Sequence, residues 1–309
     1  MSVSAPRAPG HAGGAELYLP HIDGLRALAV LAVVFYHLQA SWVPNGFLGV
    51  DVFFVISGFV VSLSVSGWQG AGWLAFLRRF YARRLARIMP ALLVCLLATV
   101  LLVTLFVPEG WLSEDNDRTG RFAFLGLANW ALAHGGNDYF SPRAEFNPYT
   151  HTWSLGVEEQ FYLLFPLIFL PWLRGWRRSA LGGVLLLGLA SACAYVVFSA
   201  KAPSEAFYMV WNRFWQLGAG VALFQCLGGR MAAWSAAPAG QGTAARAGMG
   251  AAALLALLVL AGCLFVPVGV LATPWLNLLA SGATLVLIAL GHAGVVGRVF
   301  SAPQVRWLG

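Results

Sequence analysis

Charge is what this sequence is short of. Of its 309 residues only 10% are Asp, Glu, Lys or Arg, where a soluble domain averages roughly a quarter. Lysine is nearly missing: one Lys stands beside 18 Arg. Cysteine is scarce as well. Cys95, Cys193, Cys226 and Cys263 each lie alone inside an apolar run. Without a CxxC pair or Cys/His ligand spacing, no disulfide framework and no metal site is expected, and the four read as small buried hydrophobes. A P-loop, a GxSxG elbow and an HExxH pair are all missing, which sets aside the commonest nucleotide, serine-hydrolase and zinc chemistries. There is no internal repeat and no matched pair of interrupted helices, the usual pointer to a secondary transporter.

What fills the sequence instead is apolar. Hydrophobic residues make up 59%, with 13 Trp and 21 Phe, and mean hydropathy is +0.73. A soluble globule of this size has too little interior for that surface, so the fold class expected is all-α, a polytopic transmembrane helix bundle. A span needs about 20 mostly apolar residues. Eight segments qualify, near 22–42, 46–66, 89–107, 153–173, 180–200, 207–227, 248–268 and 272–291. The run Phe122 to Ala133 is too short to cross and contains Asn129, so it reads as a short re-entrant segment. Residues 1–18 read as a disordered tail and residues 228–247 (GGRMAAWSAAPAGQGTAARA) as a flexible linker. Asp23, Arg26 and His37 interrupt the first span, so it is not a cleaved signal peptide.

Charge sets the orientation. With a cytoplasmic N-terminus and eight crossings, 13 of the 19 basic residues fall inside, while Arg118, Arg121, Arg143 and Lys201 fall outside. A full span at 120–134 would carry Arg174, Arg177 and Arg178 outside, against the positive-inside rule. A multi-pass protein of the inner (plasma) membrane is expected. The net charge of +7 elsewhere suggests nucleic acid. Here the basic residues lie between apolar runs, so the expected partners are membrane lipids and an anionic substrate, not nucleic acid.

Ionisable groups at membrane depth are costly and mark function by default. The candidates are Asp23, Arg26, His37, Asp51, Glu158, Glu159 and Arg213. Arg26 and His37 are 11 residues apart, which on a helix leaves them about 20° apart in azimuth and about 16 Å apart along the axis. One face thus offers a fixed cation and a deeper imidazole. The plainer alternative is that His37 bonds a carbonyl and Arg26 pairs with Asp23. The stretch WLAFLRRFYARRLARIMP (73–90) reads as an interfacial amphipathic helix, either a lipid anchor or a phosphate clamp built from Arg83, Arg84 and Arg87. In HTWSLGVEEQFYLLFPL the consecutive Glu158 and Glu159 point about 100° apart, so at most one faces a given cavity. Arg213 is either the counter-ion of one of these glutamates or a substrate contact.

Five segments carry a resemblance. HIDGLRALAVLAVVFYHL (21–38), GFLGVDVFFVISGFVVS (46–62), FLRRFYARRLARIMPALL (76–93), HTWSLGVEEQFYLLFPL (151–167) and YMVWNRFWQLGAG (208–220) resemble, in order, the motifs of the acyltransferase 3 family of membrane acyltransferases. The resemblance covers the chain from about residue 20 onward, giving a membrane acyltransferase domain over 19–309. It implies about ten spans and transfer of an acyl group, often acetyl, from cytoplasmic acyl-CoA to a hydroxyl of a cell-envelope carbohydrate or lipid-linked glycan. Acyl-CoA is then a donor substrate, and no bound cofactor is expected. The family's Arg-x10-His pair maps onto Arg26 and His37, and both are essential there. Its basic motif maps onto Arg84 and Arg87, beside Arg83, and serves acyl-CoA. Its glutamate maps onto Glu158 or Glu159. Tyr208 and Arg213 match the later motif, and with Asp23 and Ser154 they complete the candidate substrate contacts. His37 is general base or nucleophile. The family continues past a segment like RWLG, so a C-terminally truncated chain is expected. The competing class is a transporter or flippase of an anionic or lipid-linked solute, using the same arginine-lined channel without acyl chemistry.

Overall fold

The computed structural model describes residues 18–68, 70, 72–108, 114–135, 147–227, 243–267 and 273–309. Among them the chain is helical throughout, with no strand. The helices, in chain order, are α1 (Pro20–Leu38), α2 (Gly49–Ser66), α3 (Trp73–Phe106), α4 (Glu114–Phe124), α5 (Ala128–Ala133), α6 (Trp153–Leu173), α7 (Arg177–Lys201), α8 (Pro203–Tyr208), α9 (Val210–Leu227), α10 (Thr243–Phe265), α11 (Thr273–Leu290), α12 (Gly294–Phe300) and α13 (Pro303–Leu308). Short 3-10 turns at Gly46–Leu48 and Thr150–Thr152 lead into α2 and α6.

Eight of these helices have 18 residues or more, one for each expected span: α1, α2, α3, α6, α7, α9, α10 and α11. Six regions among the described residues, containing α1, α2, α3, α7, α10 and α11, are long and apolar enough to cross a membrane. The two long helices left over, α6 and α9, carry Glu158, Glu159, Asn212 and Arg213. The result is an all-α polytopic bundle.

Several boundaries move. The first span stops at Leu38 because Gln39 is extended (φ −158°, ψ 101°). The sixth breaks at Met209 (φ −85°, ψ 135°), giving short α8 and then α9. The amphipathic arginine segment is not a separate interfacial helix. It runs straight into the third span as the 34-residue α3, with Pro90 inside it. At 1.5 Å per residue α3 is about 51 Å long, well beyond the roughly 30 Å of a hydrocarbon core. No glycine or turn residue separates Arg87 from Leu92, and a proline alone is tolerated in a spanning helix. The expected re-entrant run divides into the end of α4 and all of α5, joined where Gly126 takes φ +69°. Of the expected linker, α10 already begins at Thr243, whereas 228–242 and the tail 1–17 lie outside the described residues. The cysteines also differ from expectation. Only Cys263 is buried, and Cys95, Cys193 and Cys226 sit on outward helix faces.

Two packing devices set the frame around the site. α2 and α9 meet backbone to backbone. A Cβ on Gly58 would strike the Leu217 carbonyl, and one on Gly220 would strike the Val55 carbonyl. Small residues permit that approach. α3 is held to α6 by a run of rings, Phe76–Phe80–Phe165–Phe169, with centroids 6.1, 5.5 and 5.1 Å apart. Phe169 continues to Phe224 of α9 at 6.0 Å. The chain's final short helices close against α1, with the Phe300 backbone lying on Gly24.

Candidate active site

The C-terminal end of α1 meets the turn before α6, and this brings His37 onto His151. Their ring centroids are 4.5 Å apart at an interplanar angle of 70°. Tyr36 stands edge-on to the other side of His37, at 5.0 Å. His151 belongs to the 3-10 turn ahead of α6, and burial there holds its imidazole below the ordinary histidine pKa.

Seven residues along α6, about 10 Å deeper and nearly on the same face, Glu158 joins three other helices. Its Oε1 accepts a 2.6 Å hydrogen bond from Ser57 Oγ of α2, and its Oε2 accepts one of 3.2 Å from Tyr162. The charges of Arg26 on α1 and Arg84 on α3 both bear on this carboxylate. Arg84 also donates to Ser64 Oγ at 2.8 Å, and its guanidinium lies over the rings of Tyr162 (5.1 Å) and Phe80 (5.8 Å). These contacts line up as a polar seam between α1, α2, α3 and α6. The seam has two histidines at one end and an arginine at the other. Ser57 and Ser64 of α2 each meet a partner across a helix interface, Glu158 of α6 and Arg84 of α3.

The two glutamates part as helical geometry demands. Glu159 turns toward α3 and the α4–α5 turn, where its carboxylate packs on Gly126. It shares the lining of a cavity of about 170 Å³ with Arg84, Met89, Leu127 and Leu163. Next to it, Gln160 latches the turn, donating to Asn129 Oδ1 (2.8 Å) and the Gly126 carbonyl (3.3 Å). Asn129 in turn donates to the Tyr208 carbonyl (3.2 Å).

Of the two roles open to Arg213, counter-ion of a glutamate or substrate contact, the first is excluded, because its carboxylate partner is Asp51. Arg213 is 1% exposed and pairs with Asp51 at 2.9 Å, while its Nε donates to the Phe207 carbonyl at 2.8 Å. The rings of Phe207, Tyr195 and Trp153 surround it at 4.7, 5.1 and 5.7 Å. Asp51 also accepts from Gln216, and the Asn277 side-chain oxygen accepts from Arg213 at 3.1 Å and from the Tyr195 hydroxyl at 2.8 Å. Asp51 opens α2 and Arg213 opens α9, so the two first turns lie side by side. Tyr208 is fully buried and packs edge-on against Trp153 at 5.5 Å.

The remaining candidates are spread out. Asp23 lies near the start of α1, accepting a 2.6 Å bond from Tyr18. Ser154 stands one turn before Glu158 on α6. Arg83 and Arg87 are exposed, whereas Arg84 turns inward. So the seam gathers Arg26, His37, Glu158 and Arg84, leaving Asp23, Arg83, Arg87, Tyr208 and Arg213 away from it. Sequence reasoning missed Ser57, Ser64 and Tyr162. A signal existed for the serines, which recur at a seven-residue spacing on one face of an otherwise apolar helix.

With this geometry in hand, comparison with known proteins decides the family. The profile of the acyltransferase 3 family, an acyltransferase domain, matches residues 19–306. The chain belongs to the acyltransferase 3 family. It is a multi-pass membrane member of it, and no solved structure matches it. Among its relatives is the peptidoglycan O-acetyltransferase OatA of Listeria monocytogenes, 37% identical over 212 residues, which are 67% of this chain and 33% of that protein. Another is the O-acetyltransferase OatA of Staphylococcus aureus, 43% identical over 152 residues, 49% of this chain and 24% of that one. The chain thus spans a third or less of the length of the curated relatives it matches.

Proposed function

We propose that this acyltransferase moves an acetyl group from acyl-CoA to a hydroxyl of a cell-wall glycan. The observations that carry the reading are the imidazole pair at the end of α1 and the Glu158 carboxylate of α6, on which the charges of Arg26 and Arg84 bear. In this reading the arginine end faces the cytoplasm and takes the donor. Arg84, with exposed Arg83 and Arg87 beside it, holds the phosphates, since guanidinium forks match phosphate oxygens. The thioester reaches His37 along the α1 face that also bears Arg26. His37 takes the proton from the acceptor hydroxyl as that oxygen attacks the thioester carbonyl. The carbon–oxygen bond forms, the carbon–sulfur bond breaks, and CoA leaves as the thiolate. Glu158, fixed by Ser57 and Tyr162, keeps Arg26 and Arg84 in register. Arg213 and Tyr208 belong to the frame. The names of the two OatA relatives support a glycan acceptor, peptidoglycan in one case.

The test is release of free CoA from acetyl-CoA by membranes containing the full-length protein, with cell-wall glycan as acceptor. Acceptor-dependent release is expected from the wild type, with a loss of about a hundredfold or more in His37→Ala. Movement of a solute across the membrane with no CoA released would overturn the proposal in favour of a transporter.

A further inference from the structure

We infer that His151 is the working partner of His37, the second imidazole through which the proton taken from the acceptor hydroxyl is passed on. The inference rests on the transfer reading above.

Three observations carry it. First, the two rings touch edge to face at 4.5 Å, although 114 residues separate them. Two cationic imidazoles that close would repel, so a proton arriving on His37 meets a neighbour that accepts it only while that neighbour is neutral. The ring of Tyr36 also stands edge-on to His37.

Second, the turn that carries His151 leads directly into a packed aromatic cluster. Two residues on, Trp153 is 2% exposed. It is wedged against Phe207 (4.6 Å), Tyr208 (5.5 Å) and Phe54 (6.0 Å), with the Arg213 guanidinium 5.7 Å above its ring. The buried Asp51–Arg213 pair thereby fixes the turn that presents His151 to His37.

Third, the proton balance closes. The hydroxyl proton goes to His37, His37 passes a proton to His151, and His151 gives one to water. The thiolate leaves as before, and both rings end neutral.

The experiment uses full-length protein in membranes, with free-CoA release as the readout. His151→Gln is expected to lower kcat tenfold or more, leaving KM for acetyl-CoA unchanged. His151→Gly is expected to lose turnover and to regain it when free imidazole is added. A purely structural histidine would not give that rescue. His151→Gln turning over at the wild-type rate while His37→Ala is inactive would overturn this inference and leave the transfer reading standing. Loss in His151→Gly that imidazole does not relieve would also overturn it. Full transfer by His37→Ala, or no CoA release by the wild type, would overturn the transfer reading and this inference together.

Discussion

Apolarity does not decide burial in this protein: α2 and α7 are equally apolar, yet α2 lies at the centre with the polar-bearing α6 and α9, and α7 faces outward. Only 11% and 17% of the spanning stretches of α3 and α7 are buried, against 67% of that of α2. In α6, which carries adjacent glutamates, Val157, Phe161, Phe165 and Phe169 are all 0% exposed. α9 buries Leu217 and Val221 completely, together with Asn212 and Arg213. In lipid the tails are as apolar as leucine, so hydrophobicity gives no drive toward the interior. What draws helices together is close backbone approach and polar bonds with no partner elsewhere. Polar residues and small residues of a spanning helix, more than its apolarity, therefore mark the face that turns inward.

That contrast can be broken at graded sites. The largest effect is expected at the centre. Arg213→Ala strands the buried Asp51 carboxylate, and breaking such a pair costs about 3–5 kcal/mol. Thermal unfolding in detergent should show a steep fall in Tm, and a Tm equal to that of the wild type would mean that the pair contributes no stability. An intermediate effect is expected at the α2–α9 contact. Gly220→Ala forces a methyl into the Val55 carbonyl, and overpacking of this kind costs about 1–3 kcal/mol. The smallest is expected at the edge. Leu186→Ala, at a residue 69% exposed on α7, should change stability by no more than about 0.5 kcal/mol. A large loss at Leu186 would reveal a protein partner on that face in place of lipid.

The bundle was legible in the sequence because apolar runs of spanning length are a local signal. All eight expected spans have a long helix, and the 11-residue spacing of Arg26 and His37 lies on one uninterrupted α1. Partnerships were not legible. Asp51 and Arg213 are 162 positions apart, and only the packing of α2 against α9 sets them side by side. A nearer carboxylate at Glu158 looked the better partner until the two glutamates proved to face α2 and α3. The break at Met209 has no strong sequence mark, since neither glycine nor a following proline stands there. The union of the arginine segment with the third span went unread for the opposite reason. Pro90 looked like a boundary, and in a helix with neighbours on one side it is not.

The contact at Gly58 and Gly220 has a mechanical meaning. Backbone laid on backbone has no rotamers to rearrange and no free volume to compress, so α2 and α9 move as one stiff plate. α3 is joined to that plate chiefly by rings, by one arginine–serine bond and by the proline-bearing stretch that lacks a full set of helical bonds. Compliance therefore resides in α3.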